Sequence, residues 1–139
     1  MKVCLLSSTA KVPRRAHVSD AGLDLFSDES IIVNPGDRVA VGTGVSLGIP
    51  AGYVGLIWEK SGLALKHGLH CMGGVIDSGY TGEIKVILYN ASNSSYAIQQ
   101  GHKIAQLLLQ QVYLGNITVV DTLLESDRGQ KGFGSTGKI

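Results

Sequence analysis

Glycine interrupts this chain so often that it limits the fold more than any other feature. Nineteen of the 139 residues are glycine, against only three prolines, when average usage is about 7%. No Gly-X-Y period runs through them, so a collagen helix is excluded. The glycines stand among many Val, Ile and Leu residues. Glycine inside a helix costs about 1 kcal/mol relative to alanine, so long helices do not suit such a chain. Short strands joined by tight turns do. With 44% hydrophobic residues, a chain of this length forms one domain and buries a core without staples.

The strands can be placed from local pattern. Lys2–Leu6, Ile31–Val33, Val39–Val41, Val45–Ile49, Tyr53–Trp58, Leu69–Met72, Val75–Asp77 and Glu83–Tyr89 read as strands. In Val45–Ile49 and Glu83–Tyr89 the apolar residues alternate with polar ones, the period of a half-buried strand. Asn34-Pro35-Gly36-Asp37 is a turn, because proline fixes φ and glycine permits φ > 0. Ser78-Gly79 and Thr81-Gly82 flank Tyr80 as at a hairpin tip. Ser61–His67 reads as one short helix, with Ser61 as N-cap and Gly68 as stop. Ile104–Leu114 also fits an amphipathic helix, but reads as a strand in so strand-like a chain. Asn90–Ser95 is a polar loop. The fold class is therefore all-β, a barrel or distorted jelly roll over residues 1–124. Residues 125–139 have few apolar groups and read as a mobile C-terminal arm.

Twelve Lys+Arg against eleven Asp+Glu give a net charge of +1, which argues against a broad basic surface for duplex nucleic acid. Two cysteines, Cys4 and Cys71, make no disulfide framework. The N-terminal apolar run is too short for a signal peptide, and no stretch is long enough to span a membrane. The expected location is cytoplasmic. In that setting the three Asn-X-Ser/Thr sequons, at Asn90, Asn93 and Asn116, are chance matches. Gly132–Lys138 (GFGSTGK) resembles part of a P-loop, but Ile139 follows where the motif needs Ser or Thr opening a helix. His67, His70 and Cys71 lie close in sequence, yet no fourth zinc ligand is apparent.

Five segments carry functional chemistry in order along the chain: Asp20–Ser27 (DAGLDLFS), Lys60–Lys66 (KSGLALK), Gly74–Ile84 (GVIDSGYTGEI), Gly101–Leu108 (GHKIAQLL) and Arg128–Gly137 (RGQKGFGSTG). Lys60-Ser61-Gly62 brings a cation, a hydroxyl and free N–H groups to the start of a helix, which suits a phosphate as well as a plain cap. Asp77 before a glycine-rich turn can orient a water or close an Asx turn. Tyr80 offers a ring for stacking or is a lone strand aromatic. Arg128, Lys131 and Phe133 in a glycine-rich tail suit a lid over an anionic ligand or an unstructured terminus.

Taken together, these segments resemble those of the trimeric deoxyuridine triphosphatases, the dUTPase family, over about residues 18–137. The resemblance implies a homotrimeric β-barrel enzyme with active sites shared between subunits. It implies magnesium-dependent hydrolysis of dUTP to dUMP and pyrophosphate, which limits uracil in DNA and supplies dUMP for dTTP synthesis. By motif, Asp77 is the general base for water attack on the α-phosphorus. Tyr80 lies under the deoxyribose and excludes a 2′-hydroxyl. Gly74, Val75, Ile76 and Lys85 read the uracil edge. Lys60, Ser61, Gly62 and Gln106 bind phosphates, and Asp24 holds hydrated magnesium through water. In the arm, Phe133 stacks on uracil while Arg128, Gly134, Ser135 and Thr136 contact the phosphate chain. The resemblance implies no nucleic-acid or membrane partner.

The chain departs from the family pattern in places. Glu59-Lys60 stands for Pro-Arg, so the charge is kept while the bidentate fork is lost. Gly79 and Thr81 replace a frequent Asp and Arg, His102-Lys103 stands for Asp-Arg, and Lys131 replaces a glycine. Two other readings go with the resemblance. One is a catalytically weak regulatory binding protein on the same fold. The other is a dCTP deaminase relative, which would need a further acid/base glutamate, Glu83 being the nearest to Asp77.

Overall fold

The computed structural model describes residues 1–131 of the chain. Ten strands and one helix follow in the order β1 (Lys2–Leu5), β2 (Leu23–Phe26), β3 (Ile31–Val33), β4 (Arg38–Gly48), β5 (Tyr53–Trp58), α1 (Ser61–His67), β6 (Leu69–Met72), β7 (Val75–Ile76), β8 (Glu83–Asn90), β9 (Tyr96–Ile98) and β10 (Lys103–Gln111). One four-stranded sheet has the order β1-β4-β8-β6 and the other β2-β10-β5-β7, while β3 and β9 form a separate pair. All named pairings are antiparallel. The described residues form an all-β jelly roll with one short helix.

The core lies between the inner faces of the two large sheets. Val41, Val45 and Leu47 of β4, Ile84, Val86 and Leu88 of β8 and Leu69 of β6 come from one side. Leu25 of β2, Ile57 of β5 and Ile104, Ala105 and Leu107 of β10 come from the other. The alternation in β8 is regular, with Ile84, Val86, Leu88 and Asn90 buried. Asn90 is a polar residue with no exposed surface. Its amide nitrogen donates to the carbonyls of Val33 and Ser94 at 2.9 and 2.8 Å. Its amide oxygen accepts from the Ser92 backbone and hydroxyl at 2.9 and 2.7 Å. The buried amide is thereby satisfied, as burial requires, and the sequon at Asn90 is sealed in the folded chain.

Four local expectations need correction. Val39–Val41 and Val45–Ile49 are parts of one strand, β4, whose pairing with β8 shifts register between Gly42 and Ser46. Glu29 Oε1 accepts from the Gly42 N–H at 2.6 Å and Glu83 Oε1 from the Gly44 N–H at 3.0 Å, so carboxylates take the place of ladder partners there. Leu23–Phe26 and Tyr96–Ile98 are strands that the pattern hid among turn residues. The N-cap of α1 is Lys60, with extended backbone and no side-chain cap bond, and Ser61 is the first helical residue. Gly68 does end the helix, in the left-handed region at φ 64°. Finally, Tyr80 is not at a hairpin tip. β7 pairs with β5 while β8 pairs with β4 and β6, so residues 77–82 cross from one sheet to the other.

β10 ends at Gln111, and residues 113–131 are exposed throughout. Among them Leu114, Ile117, Val119, Leu123 and Leu124 hold their side chains in the open. The expected contacts of Phe133, Gly134, Ser135 and Thr136 and the GFGSTGK stretch lie outside the described residues.

Candidate active site

The crossing segment 77–82 opens a cleft of about 380 Å³ between the sheets, lined by Ala40, Val75, Ile76, Asp77, Tyr80, Glu83, Lys85 and Ile87. Backbone contact between strands sets its floor. The Ile57 N–H donates to the Gly74 carbonyl at 2.8 Å. A Cβ on Gly74 would stand 2.5 Å from the Ile57 carbonyl oxygen, so only glycine allows β7 to lie this close to β5. The Asp77 carbonyl accepts from the Tyr80 N–H at 3.1 Å, which folds the segment back on itself. The Tyr80 hydroxyl donates to the Glu83 carbonyl at 2.9 Å, anchoring the ring to the start of β8. A Cβ on Gly82 would meet that hydroxyl at 2.5 Å, so the ring lies over a glycine. Glu83 stands near Asp77 in the cleft, but its carboxylate accepts from Gly44 and faces Lys85 Nζ at 3.6 Å.

A second cleft of about 370 Å³ is lined by Lys60, Ser61, Gly62, Leu63, Lys66, His67, Lys103 and Gln106. Beside it lies Asp24, a carboxylate only 7% exposed at its side chain. Lys60 Nζ binds one of its oxygens at 2.5 Å and Lys103 Nζ the other at 2.7 Å. Burial alone would push the Asp24 carboxyl up. The hydrogen bonds and charges of Lys103 and Lys60 outweigh it and hold the group below its ordinary value.

Strand register explains this meeting. Gln106 pairs with Asp24 on one side and with Trp58 on the other, so the three stand in a row across the sheet. Lys60 follows two residues after Trp58. The Gln106 amide donates to the Glu59 carbonyl at 3.0 Å and fixes that turn. The Glu59 carboxylate instead faces His70 Nδ1 at 3.4 Å. A bulge in β10 does the rest. Its pairing with β2 shifts between Lys103 and Ala105, and both Ile104 and Ala105 are buried. Two successive inward residues leave Lys103 and Gln106 on the face that Asp24 shares. Bulges often re-aim side chains in this way.

The expected site residues therefore fall into two groups. Val75, Ile76, Asp77, Tyr80 and Lys85 line the first cleft, with Gly74 packed at its floor. Lys60, Ser61, Gly62 and Gln106 line the second, with Asp24 bonded to its lysines. Among the described residues none lines both. Arg128 is exposed, and its Nε donates to the Lys131 carbonyl at 3.0 Å. Sequence reasoning missed Lys103 and Gly82. The paired apolar residues Ile104 and Ala105 beside Lys103 were the available signal, because they break the alternation of a strand.

The Asp24 cluster also bears on a metal. Among the described residues no three His, Cys, Asp or Glu side chains gather into a cage. Magnesium commonly takes one carboxylate together with phosphates and retained waters. An ionised carboxylate has about four lone-pair sites, and the lysines occupy one on each oxygen. The donor set fits a hydrated cation held through water.

A family model described as dUTPase matches residues 8–137. The deoxyuridine 5′-triphosphate nucleotidohydrolase of Clostridium tetani is 45% identical over 140 residues, covering 99% of this chain and 97% of the relative. A mutant dUTPase of Staphylococcus bacteriophage 80alpha, solved with dUpNHpp, superposes with a TM-score of 0.93 at 32% identity, covering 98% of this chain and 97% of that one. A mutant dUTPase of S. aureus phage phi11, described as revealing the coordination of a structural Mg(II) ion, superposes at 0.84 with 29% identity, over 89% of this chain and 98% of that one. The fold is thus that of enzymes acting on a nucleoside triphosphate. The chain belongs to the dUTPase family.

Proposed function

We propose that this chain hydrolyses dUTP to dUMP and pyrophosphate in a magnesium-dependent reaction. Family membership supports the activity. The observation that carries the mechanism is the separation of two complementary clefts, one holding a carboxylate beside an aromatic ring and the other holding cations. The first suits the nucleoside. Val75 and Ile76 belong to a two-residue strand whose outer edge is free to hydrogen-bond the uracil edge, and Tyr80 lies against the deoxyribose and leaves no room for a 2′-hydroxyl. The second suits the phosphate chain, which meets Lys60, the Ser61 hydroxyl, the Gly62 N–H and Gln106.

In the reaction, Asp77 accepts a proton from water as its oxygen bonds to the α-phosphorus. The bond from that phosphorus to the bridging oxygen breaks, and pyrophosphate leaves. Lys60 and the backbone donors at the start of α1 stabilise the charge that spreads over the phosphate oxygens. Asp24 would hold magnesium through water, and the ion would supply charge neutralisation on the triphosphate. Arg128 adds a further cation for the phosphate chain.

Family membership supports a homotrimer with shared sites, in which the two clefts would be brought together between copies of the chain. Exposed Trp58 and Val75 on the outer face of the second sheet give that assembly apolar surface to bury. The test is pyrophosphate release from dUTP, with UTP, dCTP and dTTP alongside, in magnesium and in chelator. Rapid turnover of dUTP alone, lost in chelator, is the expected result. Equal turnover of UTP or dTTP, or none of dUTP, would refute the assignment.

A further inference from the structure

One carboxylate with two ammonium partners is more than charge balance needs. Asp24 is buried, and each of its oxygens has its own lysine. Lys60 reaches it from the turn after β5, and Lys103 from the bulge of β10. Both lysines also line the second cleft. On the function proposed above, Lys60 has a second task, to reach a phosphate chain in that cleft. A lysine cannot do this freely if it is the sole counter-ion of a buried carboxylate. Its departure would leave an unpaired charge away from water, which is strongly unfavourable.

We propose that Lys103 is a positioning residue that keeps Asp24 paired, so that Lys60 can move between the carboxylate and the phosphates of the substrate. The inference rests on the dUTPase reading of the second cleft. Its geometric support is the bulge, which spends a register shift to place Lys103 on the carboxylate's face. Lys103 holds Oδ2 at 2.7 Å, so it stays bound when Lys60 leaves Oδ1. The arrangement also gives the lysine at position 60 a use that a bidentate arginine would serve less well. An ammonium on a flexible stem is a mobile point charge, whereas a guanidinium grips both oxygens of a carboxylate together.

Without Lys103, Lys60 is held on Asp24 in most molecules, and only the minor released fraction binds phosphates well. If that fraction is about a tenth, the apparent affinity falls about tenfold. The effect falls on substrate binding and KM more than on kcat. The experiment is a double-mutant cycle read by isothermal titration of dUpNHpp, in magnesium-free and in magnesium-containing buffer. Lys103→Met, which keeps the apolar stem, is expected to weaken binding about tenfold. Lys103→Arg restores the charge and is expected to restore affinity. In an Asp24→Asn background no buried charge needs a counter-ion, so Lys103→Met is expected to change affinity less than about twofold. Thermal melts check that each variant is folded.

An equal loss in both backgrounds would overturn the proposal, because Lys103 would then be touching phosphate itself. Unchanged binding by Lys103→Met in the Asp24 background, or failure of a folded Lys103→Arg to rescue, would overturn it too. Failure of the unmodified chain to bind dUpNHpp in either buffer would instead refute the proposed function, and the positioning role with it.

Discussion

Replacing Gly82 by alanine tests whether the position of the Tyr80 ring selects the sugar. Glycine 82 does not need a left-handed backbone, so its replacement acts only through space. The added Cβ would lie 2.5 Å from the Tyr80 hydroxyl and 2.7 Å from its Cζ. Ordinary van der Waals contact begins at 3.4 Å, so the ring must retreat by about 0.9 Å. That motion pulls the hydroxyl from the Glu83 carbonyl, now 2.9 Å away, and frees the ring to swing. A misplacement of about 1 Å in a positioning group can lower the rate by about 100-fold. The change lies at a partly exposed loop, away from the core, so the melting temperature should hold. The assay is kcat/KM for dUTP and for UTP, with a thermal melt. The expected outcome is a fall of one to two orders of magnitude for dUTP, with UTP falling much less, so that discrimination shrinks. An unchanged ratio of the two values would refute the view that the Tyr80 ring guards the 2′ position.

Asp77→Asn should reduce turnover by several orders of magnitude, on the scale of a lost general base of about 100- to 10,000-fold or more, while dUpNHpp still binds. Comparable losses of binding and turnover would remove Asp77 from the base role. Asn90→Ala deletes four hydrogen bonds at a fully buried position and strands the Val33 carbonyl. It should destabilise the fold by about 2–3 kcal/mol, visible as a lower melting temperature, and a shift within error would mean the loop finds other partners. Burial, with help from the Glu59 charge, raises the Cys71 thiol from its ordinary 9.0 to about 12. A folded value above the unfolded one means that protonation of this thiol stabilises the fold below pH 9, and that the contribution fades as pH rises toward 12. Iodoacetamide at pH 8 should therefore modify exposed Cys4 well before Cys71, as read by mass spectrometry, and equal rates would contradict the burial argument.

Much of this protein was legible without coordinates, for a local reason. Apolar alternation and glycine placement define β3, β5, β6 and β8 within a residue of where they occur, and Gly68 marks the end of α1. Turns and periods depend on neighbours in sequence, so they can be read there. The ordered motif set, from Asp24 to the segment after Arg128, likewise points to the family from sequence. Strands shorter than one clear period were less visible. Leu23–Phe26 and Tyr96–Ile98 pair only because distant strands reach them, at Leu107–Lys103 and Val33–Ile31.

What only the tertiary structure decided is how the motifs meet. Residues 74–84 look like a hairpin along the chain, yet their two strands serve different sheets, because β7 pairs with β5 while β8 pairs with β4. Lys103 looked like a departure from a family pattern. A bulge in β10 turns it onto a carboxylate 79 residues earlier in the chain, counting from 24 to 103. Hydrophobic period and turn chemistry are properties of adjacent residues. Register, bulges and the counter-ions of a buried charge depend on which remote segments pack together, and no local pattern contains that information.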